Sequence, residues 1–232
     1  MTAANRAERV ALIRTSPLFD GLPQDECEEV ARQARPKALA RDETLFMQGE
    51  PVLNVALIRS GSVKITQLGP NGNEVILWIY GPGNVVGGLS EPIFSHHNCS
   101  ARAMDPSTAL IWEYRVFQGL MLRFPQIRKN ISQILSSRLN ELEERFREVA
   151  TEKVAKRVAL ALLRLLTHIG KRVHGGIEIS LSREELAQMT GTTLFTTSRL
   201  LSKWGEMGFV LPRRESVLIC DAHRLGLVSD DL

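Results

Sequence analysis

Cysteine is scarce: Cys27, Cys99 and Cys220 are the only three in 232 residues, they lie far apart, and no CxxC pair occurs. That argues against a zinc knuckle and against a four-cysteine iron–sulfur cluster within one chain; each thiol reads as a small buried or half-buried side chain. Long apolar runs are missing too. The stretch Val158–Leu166 is interrupted by Arg164, so no bilayer span is expected. The N-terminus, Met1-Thr-Ala-Ala-Asn-Arg-Ala-Glu-Arg9, lacks a signal-peptide core, which points to the cytoplasm. Enzyme signatures are absent as well: no GxSxG, HExxH, P-loop or dinucleotide fingerprint. Paired carboxylates fall on helix faces where solvation is the default, so an enzyme is not expected. No repeat or low-complexity tract appears.

What is present is ordinary in amount and uneven in placement. The length suits one large or two modest domains, and 44% hydrophobic residues is normal for a globular chain. Net charge is +3, yet between Lys153 and Arg214 eleven Lys and Arg face only four acids, Glu178, Glu184, Glu185 and Glu206. The rest of the chain carries 18 Lys and Arg against 22 Asp and Glu. A basic C-terminal third on an acidic body is the electrostatic footprint of a nucleic-acid module, although a solvated basic face has the same composition.

Hydrophobic spacing divides the chain further. Residues 3–34 read as short helices punctuated at Ser16-Pro17-Leu18-Phe19, with Pro36 ending the segment. From Lys37 to Trp112 the texture is β: residues 44–47, 55–58, 62–65, 75–79 and 109–112 are rich in strand formers and are separated by glycine turns. Asn71-Gly72 is read as a type I′ hairpin turn. Helix returns at Val116, and Pro125 separates a short helix from a long one. In the long helix Leu135, Leu139, Leu142, Phe146 and Val149 form an a/d seam, with Glu141, Glu143, Glu144, Arg145, Arg147 and Glu148 flanking it in water. Two heptads are few for a free coiled coil, so packing on its own domain is the alternative. A helix follows from Val154 to His168, ended by Gly170 or Gly175-Gly176, then a strand at Ile177–Leu181. Phe209-Val210-Leu211 and Val217-Leu218-Ile219 read as a two-stranded wing.

The segment from Leu181 to Trp204 reads as two helices around a turn at Gly191. Leu186 and Met189 give the first helix its apolar side. In the second, Leu194, Leu201 and Trp204, with Leu200 in part, face inward and Thr196, Thr197, Arg199 and Lys203 face outward. Hydroxyls and cations on one face suit a DNA groove. Arg199 is the candidate base reader, since its fork matches guanine O6 and N7; the alternative is a surface Arg paired with Glu206 or Glu185. Thr192, Thr193, Thr196 and Thr197 are candidate phosphate contacts at the helix N-terminus, with Thr192 or Thr193 also a candidate N-cap. Lys203, Arg213 and Arg214 are phosphate neighbours.

At these residues the chain resembles the Crp/Fnr family of bacterial transcription regulators, whose second helix reads bases through Glu-x-x-Ser-Arg. Here Phe195-Thr196-Thr197-Ser198-Arg199 keeps Ser-Arg and replaces Glu by Phe. Ser198 would support Arg199 or bond a base edge. Phe195 either packs on a thymine methyl or tucks between helix and sheet. The resemblance extends through Phe46-Met47-Gln48-Gly49-Glu50, Gly61-Ser62-Val63, and Gly83 before Val86-Gly87. It implies an α+β chain: a cyclic-nucleotide-binding-like β-roll with N-terminal helices over 1–125, a dimerisation helix over 126–150, and a winged helix-turn-helix over 151–232. The implied partners are double-stranded DNA with a palindromic operator, a second copy of the chain, RNA polymerase, and a small-molecule or gas effector, with no membrane. The family hinge falls at Ala150-Thr151-Glu152.

The family's cyclic-nucleotide anchors are absent. Gly-Glu-Leu becomes Gly87-Gly88-Leu89, Arg-Ser falls at His97-Asn98, and Thr-Ser at Leu142-Glu143. Cyclic AMP bound in the usual manner is therefore not expected. The loop Ile93-Phe94-Ser95-His96-His97-Asn98-Cys99 resembles the haem-containing carbon-monoxide sensors, whose axial histidine lines up with His96. Haem on His96, walled by Leu135, Leu139 and Leu142, is one reading; turn histidines in water is the other, and the cofactor stays unknown. His97 and Cys99 are alternative ligands. A sensor for another small ligand, an effector-independent regulator and a dimeric adaptor remain as rival readings.

Overall fold

The computed structural model describes residues 3–89 and 96–228. The chain opens with α1 (Ala3–Thr15), a 3₁₀ turn (Pro17–Phe19) and α2 (Gln24–Gln33). Eight strands follow: β1 (Arg35–Leu39), β2 (Thr44–Phe46), β3 (Asn54–Ser60), β4 (Val63–Leu68), β5 (Glu74–Tyr80), β6 (Val85–Val86), β7 (Ser100–Ala103) and β8 (Ser107–Glu113). They form two four-stranded sheets, ordered β1-β8-β3-β6 and β2-β7-β4-β5. Next come α3 (Tyr114–Arg123), α4 (Pro125–Thr151) and α5 (Val154–His168). The last part holds β9 (Lys171–Val173), β10 (Gly176–Ile179), α6 (Arg183–Thr190), α7 (Leu194–Glu206), β11 (Val210–Pro212), β12 (Val217–Ile219) and α8 (Ala222–Gly226). Its sheet runs β11-β12-β10-β9. This is an α+β fold with a β-roll, a long helix and a winged helix-turn-helix. Among the described residues no helix is long and apolar enough to cross a membrane.

Two compact units emerge, one of Met1–Gln67 with Tyr80–Glu141 and one of Leu68–Ile79 with Leu142–Leu232. In the first, Ile13, Leu18, Phe19, Val30, Leu57, Leu110, Trp112, Phe117 and Ile127 share one core joining the N-terminal helices to the first sheet. The indole Nε1 of Trp112 donates to the Val30 carbonyl at 3.0 Å, so its one polar atom is satisfied inside that core. Pro125 opens α4 because its missing N–H lies where a helix has no acceptor, and it holds Phe124 out of the helical region at φ −121. One turn on, buried Asn130 donates to the carbonyls of Leu18 at 3.0 Å and Asp20 at 2.9 Å, which ties the start of α4 to the 3₁₀ turn.

Several expectations need correction. Strands β1, β6, β7 and β9 carry weak strand signals and lie outside the expected strands, and Pro36 lies inside β1, where Arg35–Leu39 pairs with Ser107–Ile111. A turn does form at Asn71-Gly72, but Gly72 alone has positive φ (78°); Gly72 N–H closes on the Gly69 carbonyl at 3.0 Å, so it is not type I′. Gly175-Gly176 turns the β9–β10 hairpin rather than ending α5, which stops at His168. On α4, Glu148 is buried and paired with Arg164, and Arg145 reaches the Leu77 and Met189 carbonyls; neither flanks the seam in water. The seam side chains are uncovered by their own chain: Leu135, Leu139, Leu142, Phe146 and Val149 are 38, 55, 46, 75 and 59% exposed.

Candidate nucleic-acid interface and sensor pocket

The helix-turn-helix is fixed at both ends of α6. Ser182 and Glu185 form a reciprocal cap: the Glu185 amide donates to Ser182 Oγ at 3.1 Å and the Ser182 amide to Glu185 Oε2 at 3.0 Å. Glu185 is thus engaged in the cap. At the other end Gly191 sits at φ 62, and the Gly191 and Thr192 amides both converge on the Ala187 carbonyl. Two arginines from outside the helix-turn-helix complete this end. Arg145 reaches the Met189 carbonyl and Arg157 the Thr190 carbonyl, each at 3.3 Å. Cations suit the negative end of a helix. Both partners are distant in sequence, so no local pattern announces them.

Helix α7 starts at Thr193, the N-cap, whose Oγ1 accepts the Thr196 amide at 3.1 Å and lies 3.0 Å from Thr196 Oγ1. Its buried side consists of Thr197, Leu200, Leu201 and Trp204, with Trp204 packed 6.0 Å from the Phe209 ring. Two predictions fail here. Thr197 is fully buried, so it does not reach a phosphate, and Leu194, 51% exposed, does not pack in the core. The outward face carries Leu194, Phe195, Arg199 and Lys203, with Thr192, Thr196 and Ser198 half-buried. Phe195 is 76% exposed, which removes the reading that tucks it between helix and sheet. Arg199 forms no ion pair with a described residue, so neither Glu206 nor Glu185 holds it. In the wing, Arg213 pairs with Glu178, whose carboxylate also accepts from Ser216 Oγ at 2.9 Å. Those contacts, Ser216 first, hold the Glu178 carboxyl below its ordinary pKa. Arg214 beside it is exposed.

The predicted effector residues separate. His97 stacks on Phe46 at 3.7 Å between ring centroids and 9° between planes. Burial lowers its pKa, partly opposed by Glu50. Gly87 lies against this stack: a Cβ there would stand 3.1 Å from Phe46 Cε1 and 3.6 Å from His97 Cε1. Gly88 has no room for the family's Glu, because a Cβ would meet Val55 Cγ2 at 2.6 Å. Leu89 is buried in the first unit's core, whereas Leu135, Leu139 and Leu142 are exposed on α4. A pocket of about 100 Å³ opens beside His97, lined by Leu45, Phe46, Glu50, Leu53, Asn54 and Val86. His96 is exposed and outside that lining. Ile93, Phe94 and Ser95 of the same loop lie outside the described residues. His97, the alternative ligand, has one ring face covered by Phe46, and the pocket beside it is smaller than the roughly 300–1,000 Å³ of small-molecule sites, so it does not hold a haem.

A β-roll ahead of a capped, cation-bearing helix-turn-helix defines a sensor-linked DNA-binding protein. Comparison with known proteins agrees. Residues 36–124 match the cyclic nucleotide-binding domain and residues 156–227 the Crp-like helix-turn-helix domain. The chain is 27% identical over 217 residues to the CRP-like cAMP-activated global transcriptional regulator of Mycobacterium tuberculosis, covering 93% of this chain and 97% of that protein. It is 23% identical to Electron transport regulator A of Shewanella oneidensis, covering 88% and 82%. Among solved structures, FixK2 from Bradyrhizobium japonicum superposes with TM-score 0.75 at 22% identity, covering 84% of this chain and 97% of that one. A CooA mutant from Carboxydothermus hydrogenoformans gives 0.67 at 26%, covering 85% and 88%. The chain belongs to the Crp/Fnr family of DNA-binding transcription regulators and carries that family's cyclic-nucleotide-binding-type sensing domain.

Proposed function

We propose that the protein is a cytoplasmic homodimer that binds a two-fold-related duplex site, one α7 per half-site, and recruits or excludes RNA polymerase there. The observation that carries this reading is Arg199: an exposed guanidinium with no ion pair to a carboxylate among the described residues, on the outward face of a helix capped at Thr193. An arginine so placed is free to bond a guanine edge. Thr192, Thr193, Thr196, Ser198, Lys203, Arg213 and Arg214 surround it with donors and charge for the phosphates, and Phe195 supplies an apolar contact. Residues 126–150 form the dimer seam, between a sensor over 1–125 and a DNA-binding domain over 151–232. Effector binding in the β-roll shifts the population of dimer arrangements and so re-aims the two α7 helices.

The M. tuberculosis relative is named as cAMP-activated; for this chain, Gly88 and its contact with Val55 oppose the usual cyclic AMP mode. The test is duplex binding by anisotropy across a salt series. Log K is expected to fall linearly with log salt, with a slope set by the phosphates neutralised. Arg199→Ala should lose about 1–3 kcal/mol at one base pair and flatten preference there. Salt-independent binding, or equal loss on every sequence, contradicts the assignment.

A further inference from the structure

Leu194 and Phe195 stand side by side at the first turn of α7, and both are turned out of the core, 51 and 76% exposed. The helix packs through other apolar side chains, Leu200, Leu201 and Trp204, which are buried. Helical spacing puts Phe195 one turn from Arg199 and Leu194 one turn from Ser198, so the pair shares its surface with the candidate base reader. Half-buried Thr192, Thr196 and Ser198 rim it. An exposed apolar pair with a polar rim has the form of a contact surface.

Charge selects the partner. Arg199 and Lys203 are exposed on the same helix, and between Gly191 and Gly205 the chain holds no Asp or Glu. A polyanion is what such surroundings attract. The same lack of acids decides what the pair can read. In the major groove cytosine presents its N4 amino group, which a carboxylate accepts, whereas thymine presents O4 and a C5-methyl group. The side chains of Leu194 and Phe195 have neither donor nor acceptor, so they register only an apolar group. On a pyrimidine edge that group is a methyl at C5. Cytosine methylated at C5 carries it at the same ring position as thymine, with its pairing to guanine unchanged.

We propose that Leu194 and Phe195 form a reader of 5-methylcytosine in duplex DNA, so that methylation of a half-site raises its occupancy by this protein. The proposal rests on the reading of α7 as the DNA-reading helix. It goes beyond that reading by adding Leu194 as a specificity-determining residue and by naming a modified base as its ligand. Each methyl group covered by the pair leaves water, which raises affinity about fourfold.

The test uses the full-length protein and a duplex that it selects from a random pool, with affinity read by anisotropy. Each pyrimidine position of the half-site carries in turn cytosine, 5-methylcytosine, deoxyuridine and thymine, opposite the matching purine. Cytosine against 5-methylcytosine, and deoxyuridine against thymine, change the methyl group and leave the pairing intact. At one position or two, 5-methylcytosine should bind about fourfold tighter than cytosine, and thymine tighter than deoxyuridine by a like factor. Leu194→Ala and Phe195→Ala should each shrink the ratio, and the double variant should bring it to one with an unchanged thermal midpoint, since both side chains lie outside the core. Arg199→Ala should lower affinity and keep the ratio. Equal affinity for cytosine and 5-methylcytosine at every position, or a methyl preference that survives in the double variant, would overturn the proposal. Thymine preference without 5-methylcytosine preference would overturn it too, while leaving α7 as the reading helix. Selection that enriches no duplex would remove the proposed function itself, and this inference with it.

Discussion

Glu148 near the end of α4 and Arg164 on α5 form a two-pronged ion pair, with Nη1 2.6 Å from Oε1 and Nη2 2.9 Å from Oε2. The pair spans the Ala150-Thr151-Glu152 link, where family resemblance puts the hinge. The Glu148 side chain is only 4% exposed and Arg164's is 21%, so the charges are sheltered from solvent screening. Residues 142–151 of α4 belong to the same unit as the winged helix-turn-helix, and this pair holds them to α5. Bending at 150–152 must therefore break or carry along the pair.

Removing one partner should be costly. Glu148→Gln is expected to destabilise the second unit by about 3 kcal/mol, because it strands the Arg164 guanidinium. A Glu148→Leu/Arg164→Met double variant should recover most of that loss. Urea denaturation of the two singles and the double measures the coupling; additive losses would mean the pair contributes nothing as a pair.

The uncovered seam predicts the oligomeric state. Leu139→Asp with Leu142→Asp places charges on side chains that are 55 and 46% exposed in the single chain, so the fold should survive. Sedimentation should show monomers, and affinity for a two-half-site duplex should fall by about a hundredfold or more as avidity is lost. A variant that stays dimeric would move the interface elsewhere.

Phe195 gives a prediction about one methyl group. An aromatic 76% exposed on the outward face of α7 is placed to pack on a thymine C5-methyl. Replacing the thymines of a bound half-site one at a time by deoxyuridine should weaken wild-type binding at one position and leave Phe195→Ala indifferent there. Equal affinity for thymine and uracil at every position would remove the contact.

The Phe46–His97 stack predicts an acid-sensitive sensor unit. Burial depresses the His97 pKa below its ordinary 6.5, so the unfolded chain takes up a proton that the folded chain resists. Stability from this site is complete above 6.5 and falls as pH drops from there toward the lowered folded value. His97→Gln should flatten that part of the stability–pH curve, read by chemical denaturation. An unchanged slope would place the titration on another group.

Much of the domain order was legible because it rests on strong local signals: the helical spacing of α5, Pro125 at the head of α4, and Gly191 at the turn between α6 and α7. What escaped had no local cause. Strand β1, Arg-Pro-Lys-Ala-Leu, is made by pairing with residues some seventy positions away. The faces of α7 were misjudged by polarity. Thr197 is buried because it lies one turn below Leu200 and Leu201 and two below Trp204, and geometry rather than hydroxyl content sets that face. Leu194 escapes burial at the first turn, beyond the core. In the sensor, spacing could align Gly88 and His97 with a nucleotide site, but only coordinates show Val55 against the one and Phe46 against the other.

The central claim is that two copies read DNA through α7, and selection of the wild-type protein on random duplexes tests it most directly. The account predicts an enriched site with two-fold symmetry, half-sites about one helical turn apart, and a guanine position in each half that Arg199→Ala no longer distinguishes. Enrichment of a single unpaired motif, or of no sequence above the input pool, would contradict it.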